Sequence, residues 1–112
     1  MFDVERLGPV SFVVMPRRLN VTHLRALLDC VQRELADGPT GIVLDLRDTD
    51  AIDMAALAGI VEIYKQSAKR GVDLRLGAPR MSVRRLLGIT RLDRVLRVVD
   101  EPGSEGELAA AE

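Results

Sequence analysis

Hydrophobic positions along the chain follow two periods, and the places where one gives way to the other outline the fold. Residues 2–7 and 10–15 alternate as short extended segments around Gly8-Pro9, a pair that punctuates a turn, so the opening predicts a β-hairpin. Pro16 ends the second strand by removing a ladder donor. From 21 to 36 the period becomes helical: Leu24, Leu27, Leu28, Val31 and Leu35 form a stripe, while Arg25, Asp29, Gln32 and Arg33 lie off it. Asn20 or Thr22 can cap the first turn, and Asp37-Gly38-Pro39 stops the helix.

Residues 42–46 are a short apolar run of strand formers, expected as a central buried strand. A polar turn over 47–52 leads to a second helix over 54–70, with Leu57, Ile60, Val61 and Tyr64 inward, Glu62, Lys65, Gln66 and Lys69 outward, and Gly71 past its end. A third strand at 72–76, a short helix at 81–87 and a final strand at 95–99 follow. The order ββαβαβαβ defines an α/β fold. Strand–helix–strand units force parallel pairing, the hairpin adds an antiparallel pair, and the expectation is a mixed four- to five-stranded sheet packed with helices.

Composition narrows the function classes. One domain fits in 112 residues, and the 47% apolar content is mostly Val, Leu, Ile and Ala, which suits a sheet packed on helices. A net charge of −1 supplies no overall field toward nucleic acid or anionic lipid. The single Cys30 cannot form an internal disulfide, residues 1–6 lack the pattern of a signal peptide, and no apolar run approaches the ~18 residues of a membrane span. A soluble cytoplasmic protein without membrane insertion is expected.

Catalytic groups are sparse. One His and one Cys cannot build a His/Cys metal site, and no glycine-rich phosphate cradle occurs. His23 reads as a partly exposed residue at a helix start and Cys30 as a core filler. Asp45, Asp48, Asp50 and Asp53 cluster at the carboxyl end of a strand, where four carboxylates could gather Mg²⁺ or a small ligand. The plainer reading takes Asp48 and Asp50 as turn residues and Asp53 as the cap of the next helix. Six arginines between Arg80 and Arg97 have no interleaved aromatics, so a solvated face is expected rather than a nucleic-acid site. Neither an enzyme nor a bound cofactor or metal is expected.

The stretch Ile42-Val43-Leu44-Asp45-Leu46, running through a turn to Ile52-Asp53, resembles the STAS family pattern of a VLDLS strand followed by a hydrophobic residue and Asp. Gly71-Val72-Asp73-Leu74-Arg75-Leu76 is similar to its G-x-x-L-x-L step. Val83-Arg84-Arg85-Leu86-Leu87 with Thr90-Arg91-Leu92 is similar to V-x-R-x-L followed by T-G-L, and Arg18-Leu19-Asn20 stands at the G-x-L-D turn. The resemblance implies a STAS domain over 1–99, and the composition of the acidic, Gly/Ala-rich tail over 100–112 reads as a frayed or loosely docked helix. The resemblance also implies a non-catalytic anti-sigma factor antagonist whose partner is a kinase-like ATPase.

Partner contacts are then expected at Asn20, Val21, Thr22, Asp53, Met54, Ala55, Ala56, Leu57 and Ala58. Family members carry a phosphorylatable Ser directly after the Asp; here Met54 stands in that place, Ala55 and Ala56 follow, and Asn20 replaces the first-loop Asp. The usual switch is therefore expected to be missing, with Thr49 a weak substitute site. Other STAS partners are transporter ATPase subunits of phospholipid-transport complexes and signalling scaffolds, and these form the alternative reading. A small ligand- or Mg²⁺-binding domain built on Asp45 to Asp53 is the third.

Overall fold

The computed structural model describes residues 2–100, so the expected tail beyond Asp100 lies outside the described residues. Strands β1 (Val4–Leu7) and β2 (Val10–Val14) form the opening hairpin, with Leu7 opposite Val10 and Gly8 at φ +60°, a conformation glycine adopts without steric cost. Two short strands, β3 (Arg18–Leu19) and β5 (Ala51–Ile52), flank α1 (Leu24–Ala36) and β4 (Gly41–Asp45) in the chain. Next come α2 (Met54–Lys69), β6 (Asp73–Gly77), α3 (Met81–Ile89) and β7 (Arg97–Val99). The main sheet has the order β1-β2-β4-β6-β7, antiparallel at β1–β2 and parallel elsewhere, so the mixed five-stranded α/β sheet matches expectation.

Alternation sends Val13, Ile42, Leu44, Leu74 and Leu76 to one face of this sheet, where α1, α2 and α3 cover them with Leu27, Val31, Ile60, Ile63, Val83 and Leu87. The inward stripe of α2 differs from the sequence reading. Ile63 and Ser67 are buried, whereas Val61 and Tyr64 are half-buried on its flanks. Ser67 fits inside because its hydroxyl donates to the Ile63 carbonyl at 2.8 Å. Gly59, also on α2, faces the first turn of α1: a Cβ there would run into the side chain of Leu24. The final strand begins two residues later than expected because Leu92–Arg94 coils as a 3₁₀ turn.

A buried polar cluster fixes α1 to the hairpin. Glu34 is buried, and its Oε1 accepts from the Ser11 hydroxyl at 2.7 Å and from Arg6 Nε at 3.0 Å. Its Oε2 accepts from Arg6 Nη2 at 3.0 Å, and that nitrogen also donates to Asp37 at 2.5 Å. The Arg6 bond holds the Glu34 carboxyl below the ordinary range, with Ser11 assisting and burial opposing. Glu34 and then Asp37 push the Arg6 guanidinium further up.

Replacing Glu34 with Ala removes a buried, charge-assisted acceptor and should lower unfolding free energy by roughly 2 kcal/mol in urea titrations. The depressed Glu34 pKa sets the sign with pH. Its stabilisation is complete above the unfolded Glu value of about 4.3 and is lost as pH falls through the folded value, so Glu34→Gln should flatten the acid limb of stability against pH. A second expectation concerns Arg91, which sits at φ +62° where the family pattern has Gly. Relief of left-handed strain, less the extra freedom of an unfolded glycine, should make Arg91→Gly about 0.5 kcal/mol more stable in the same titration.

Candidate functional site

The parallel strands all end at one edge of the molecule, and the segments leaving β2 and β4 there are bound to each other before either enters a helix. β3 and β5 form a two-stranded parallel ribbon, pairing Arg18 with Ala51 and Leu19 with Ile52. The Thr49 hydroxyl donates to the Pro16 carbonyl at 2.8 Å, and the Asp50 N–H to the Arg17 carbonyl at 2.7 Å. The Asp53 N–H donates to Leu19 at 3.1 Å. Leu19 and Thr49 are buried, so this ribbon is anchored from inside.

Asp53 has two tasks. Its Oδ1 accepts the Ala56 N–H at 2.8 Å and so caps α2, as expected. Its Oδ2 accepts the Val21 N–H at 3.1 Å across the neighbouring loop. Asn20 caps the Val21–His23 turn, accepting the Thr22 N–H at 3.0 Å, while its own N–H donates to His23 Nδ1 at 3.2 Å. The result is a rigid platform from which Val21, 57% exposed, and Met54, 64% exposed, project.

Thr22, Asp53, Ala55 and Ala58 are exposed and Asn20 is half-buried beside them. Two expected contact residues lie elsewhere. Ala56 and Leu57 are buried in the core, because the helical period that turns Met54 and Ala58 outward turns 56, 57 and 60 toward the sheet. Thr49 and Ser67 spend their buried hydroxyls on the Pro16 and Ile63 carbonyls. Cys30 is buried in the core, which pushes its thiol up.

The aspartate cluster does not converge. Asp45 pairs with Arg47 at 3.3 Å, and Asp53 is a cap. Asp50 bridges Arg17 at 3.0 Å and Arg80 at 2.8 Å. Among the described residues no three His, Cys, Asp or Glu side chains assemble into a metal-holding group. The Asp50 carboxyl is held below its ordinary range by its Arg17 hydrogen bond first, with the charges of Arg17 and Arg80 adding and burial opposing. Arg80 Nε also donates to the Arg47 carbonyl at 2.8 Å and the Ser82 hydroxyl to the Asp50 carbonyl at 2.9 Å, tying α3 to this edge. Residue spacing gave no sign of that brace or of the ribbon. A glycine at position 59, inside an otherwise apolar helix face, was a legible sign of close helix approach.

A cavity of about 550 Å³ lined by Thr40, Tyr64, Asp73, Val95 and Arg97 lies at the opposite, amino-terminal end of the parallel strands. No helix among the described residues is long and apolar enough to cross a membrane.

The sequence matches the STAS domain family over residues 1–104, and the chain, with its mixed sheet, belongs to that family. A Thermotoga maritima protein that bears the provisional name of anti-sigma factor antagonist is 31% identical over 101 residues, 89% of each chain. Its crystal structure superposes with a TM-score of 0.84, covering 95% of this chain and 92% of that one. The anti-sigma factor antagonist SpoIIAA in its unphosphorylated form shares the fold, with a TM-score of 0.82 at 12% identity over 98% of this chain and 97% of its own.

Because one carboxylate both caps α2 and holds the Val21 loop, Asp53→Ala should cost about 1–2 kcal/mol of stability, the range of a lost cap. Amide exchange at Val21 and Ala56 should accelerate together. Exchange that accelerates at Ala56 alone would show that the second bond contributes nothing.

Proposed function

We propose that this chain is a non-catalytic cytoplasmic regulator that binds a kinase-type anti-sigma factor without the family's serine switch. The contact surface consists of Asn20, Val21, Thr22, Asp53, Met54, Ala55 and Ala58. The observation that carries this reading is Met54, largely exposed at the first position of α2, where relatives of this family pattern place a serine.

Burial of an exposed Met side chain against a partner contributes ~1.5–3 kcal/mol, and its flexible thioether adapts to an uneven surface. A phosphoserine at the same position would bring a charge near −2 into that contact and desolvate it. Met54 has no hydroxyl to accept one. Thr49 and Ser67, the other hydroxyls considered, are closed off in the folded chain by burial and hydrogen bonding.

Met54→Asp separates contact from folding. A carboxylate in the first turn of a helix interacts favourably with the helix dipole, so stability should hold or rise slightly. Binding to the cognate anti-sigma kinase should weaken at least tenfold, about 1.4 kcal/mol, by calorimetry. Incubation with that kinase and ATP should leave the mass of the wild-type chain unchanged. Phosphate on exposed Thr22 or Ser82 would sink the switch-free part of the reading. Undiminished binding by Met54→Asp would move the contact elsewhere on the domain, whereas a wild-type chain that binds no sigma-regulating kinase would favour a transporter ATPase or scaffold partner.

A further inference from the structure

The two ends of the parallel sheet show different chemistry to solvent. At the carboxyl end stand Val21 and Met54, with Arg17 and Arg80 both paired to Asp50. At the amino-terminal end α2 and α3 finish and the chain turns back into β6 and β7. Lys69, Arg70, Arg91, Arg94 and Arg97 are exposed there, and among the described residues none of the five is held in an ion pair. The exposed acids at this end, again among the described residues, are Asp37, already bound by Arg6, and Asp93. The net charge of −1 therefore averages a basic end with an acidic remainder.

The helix dipole accounts for Lys69 and Arg70, which close the last turn of α2. It does not account for Ile89. This last residue of α3 is 80% exposed, more than any other large apolar side chain among the described residues. Exposed Arg85 stands one turn before it on the same face, and Arg91 and Arg94 follow in the 3₁₀ turn. The backbone here is satisfied from within. The Thr90 N–H donates to the Leu86 carbonyl at 3.0 Å, and its hydroxyl to the Leu86 and Leu87 carbonyls at 2.8 and 3.3 Å. The Arg91 N–H donates to the Gly88 carbonyl at 3.1 Å. These last carbonyls of α3 do not depend on water for a partner.

We propose that this end of the molecule docks peripherally on an anionic lipid bilayer, with Ile89 in the headgroup layer and Arg85, Arg91 and Arg94 on its phosphates. An apolar tip flanked by guanidinium groups, on backbone that needs no water, meets what such an interface offers: apolar depth beneath a plane of negative charge. A protein partner would have to supply a pocket for Ile89 and separate acids for each arginine. Docking here leaves the Met54 edge free. Met81 and Ile89 are about 12 Å apart along α3 at 1.5 Å per residue, and the first turn of that helix is tied to the Met54 edge by the Ser82 hydroxyl on the Asp50 carbonyl.

Sedimentation of the full chain with vesicles tests this. Phosphatidylglycerol vesicles should carry the chain down at low salt, phosphatidylcholine vesicles should not, and about 0.5 M salt should release it. Ile89→Ser, and separately Arg85→Gln with Arg94→Gln, should each lower the partition coefficient about tenfold. All three side chains are exposed, so the urea midpoint should stay in place. A wild-type chain that stays in solution with phosphatidylglycerol overturns the proposal, and if it then binds a polyglutamate peptide the face serves an acidic protein instead. Equal sedimentation with phosphatidylcholine overturns it too, as do variants that partition like wild type.

Discussion

The edge that carries Val21 and Met54 depends on one constraint: the chain segments that leave β2 and β4 cannot move independently. A two-residue ribbon, the buried Thr49 hydroxyl on Pro16 and the shared Asp53 carboxylate make a single unit of two loops distant in sequence. Short ribbons are weak by themselves. This one holds because Leu19 and Thr49 are buried beneath it and the Arg17–Asp50–Arg80 brace connects it to α3. Met54 and Val21 therefore stand exposed without being loose, and a partner at the proposed contact would meet a surface whose ordering cost is already met by the fold.

The scaffold behind that edge is fixed by different means. Aliphatic packing supplies most of the burial, while the Arg6–Glu34–Ser11 cluster selects how α1 lies on the hairpin. Polar groups at such a place specify an arrangement more than they add stability, because each is satisfied only when all three elements meet in one register. Gly59 acts in a similar way between α1 and α2, where the missing Cβ admits Leu24.

Periodicity made the hairpin, the three helices and the parallel strands legible, since each buries a regular stripe against one neighbour. It failed where a residue's place is decided by a partner far along the chain. Ala56 and Leu57 look like members of a contact motif, but the helix phase turns them into the core. Four aspartates close in sequence look like one site, and three of them take separate partners: Arg47, the Arg17–Arg80 pair, and the α2 amide with the Val21 amide. Strands of two residues carry no detectable alternation, so the ribbon left no trace. Glu34 reads as an ordinary surface residue until Arg6 and Ser11 are placed beside it. The hydroxyl-free helix start at Met54 was legible through the family pattern, and its exposure is a matter of structure.

A thioether at the head of α2 also bears on how such a molecule is governed in a cell. Where a serine stands, an existing pool of protein is turned off and on again by adding and removing one group, and its amount can stay constant. In the proposed reading, with Met54 there, occupancy of the partner would follow the relative numbers of the two molecules, and control would pass to synthesis and proteolysis. Response time is then set by the lifetime of the polypeptide.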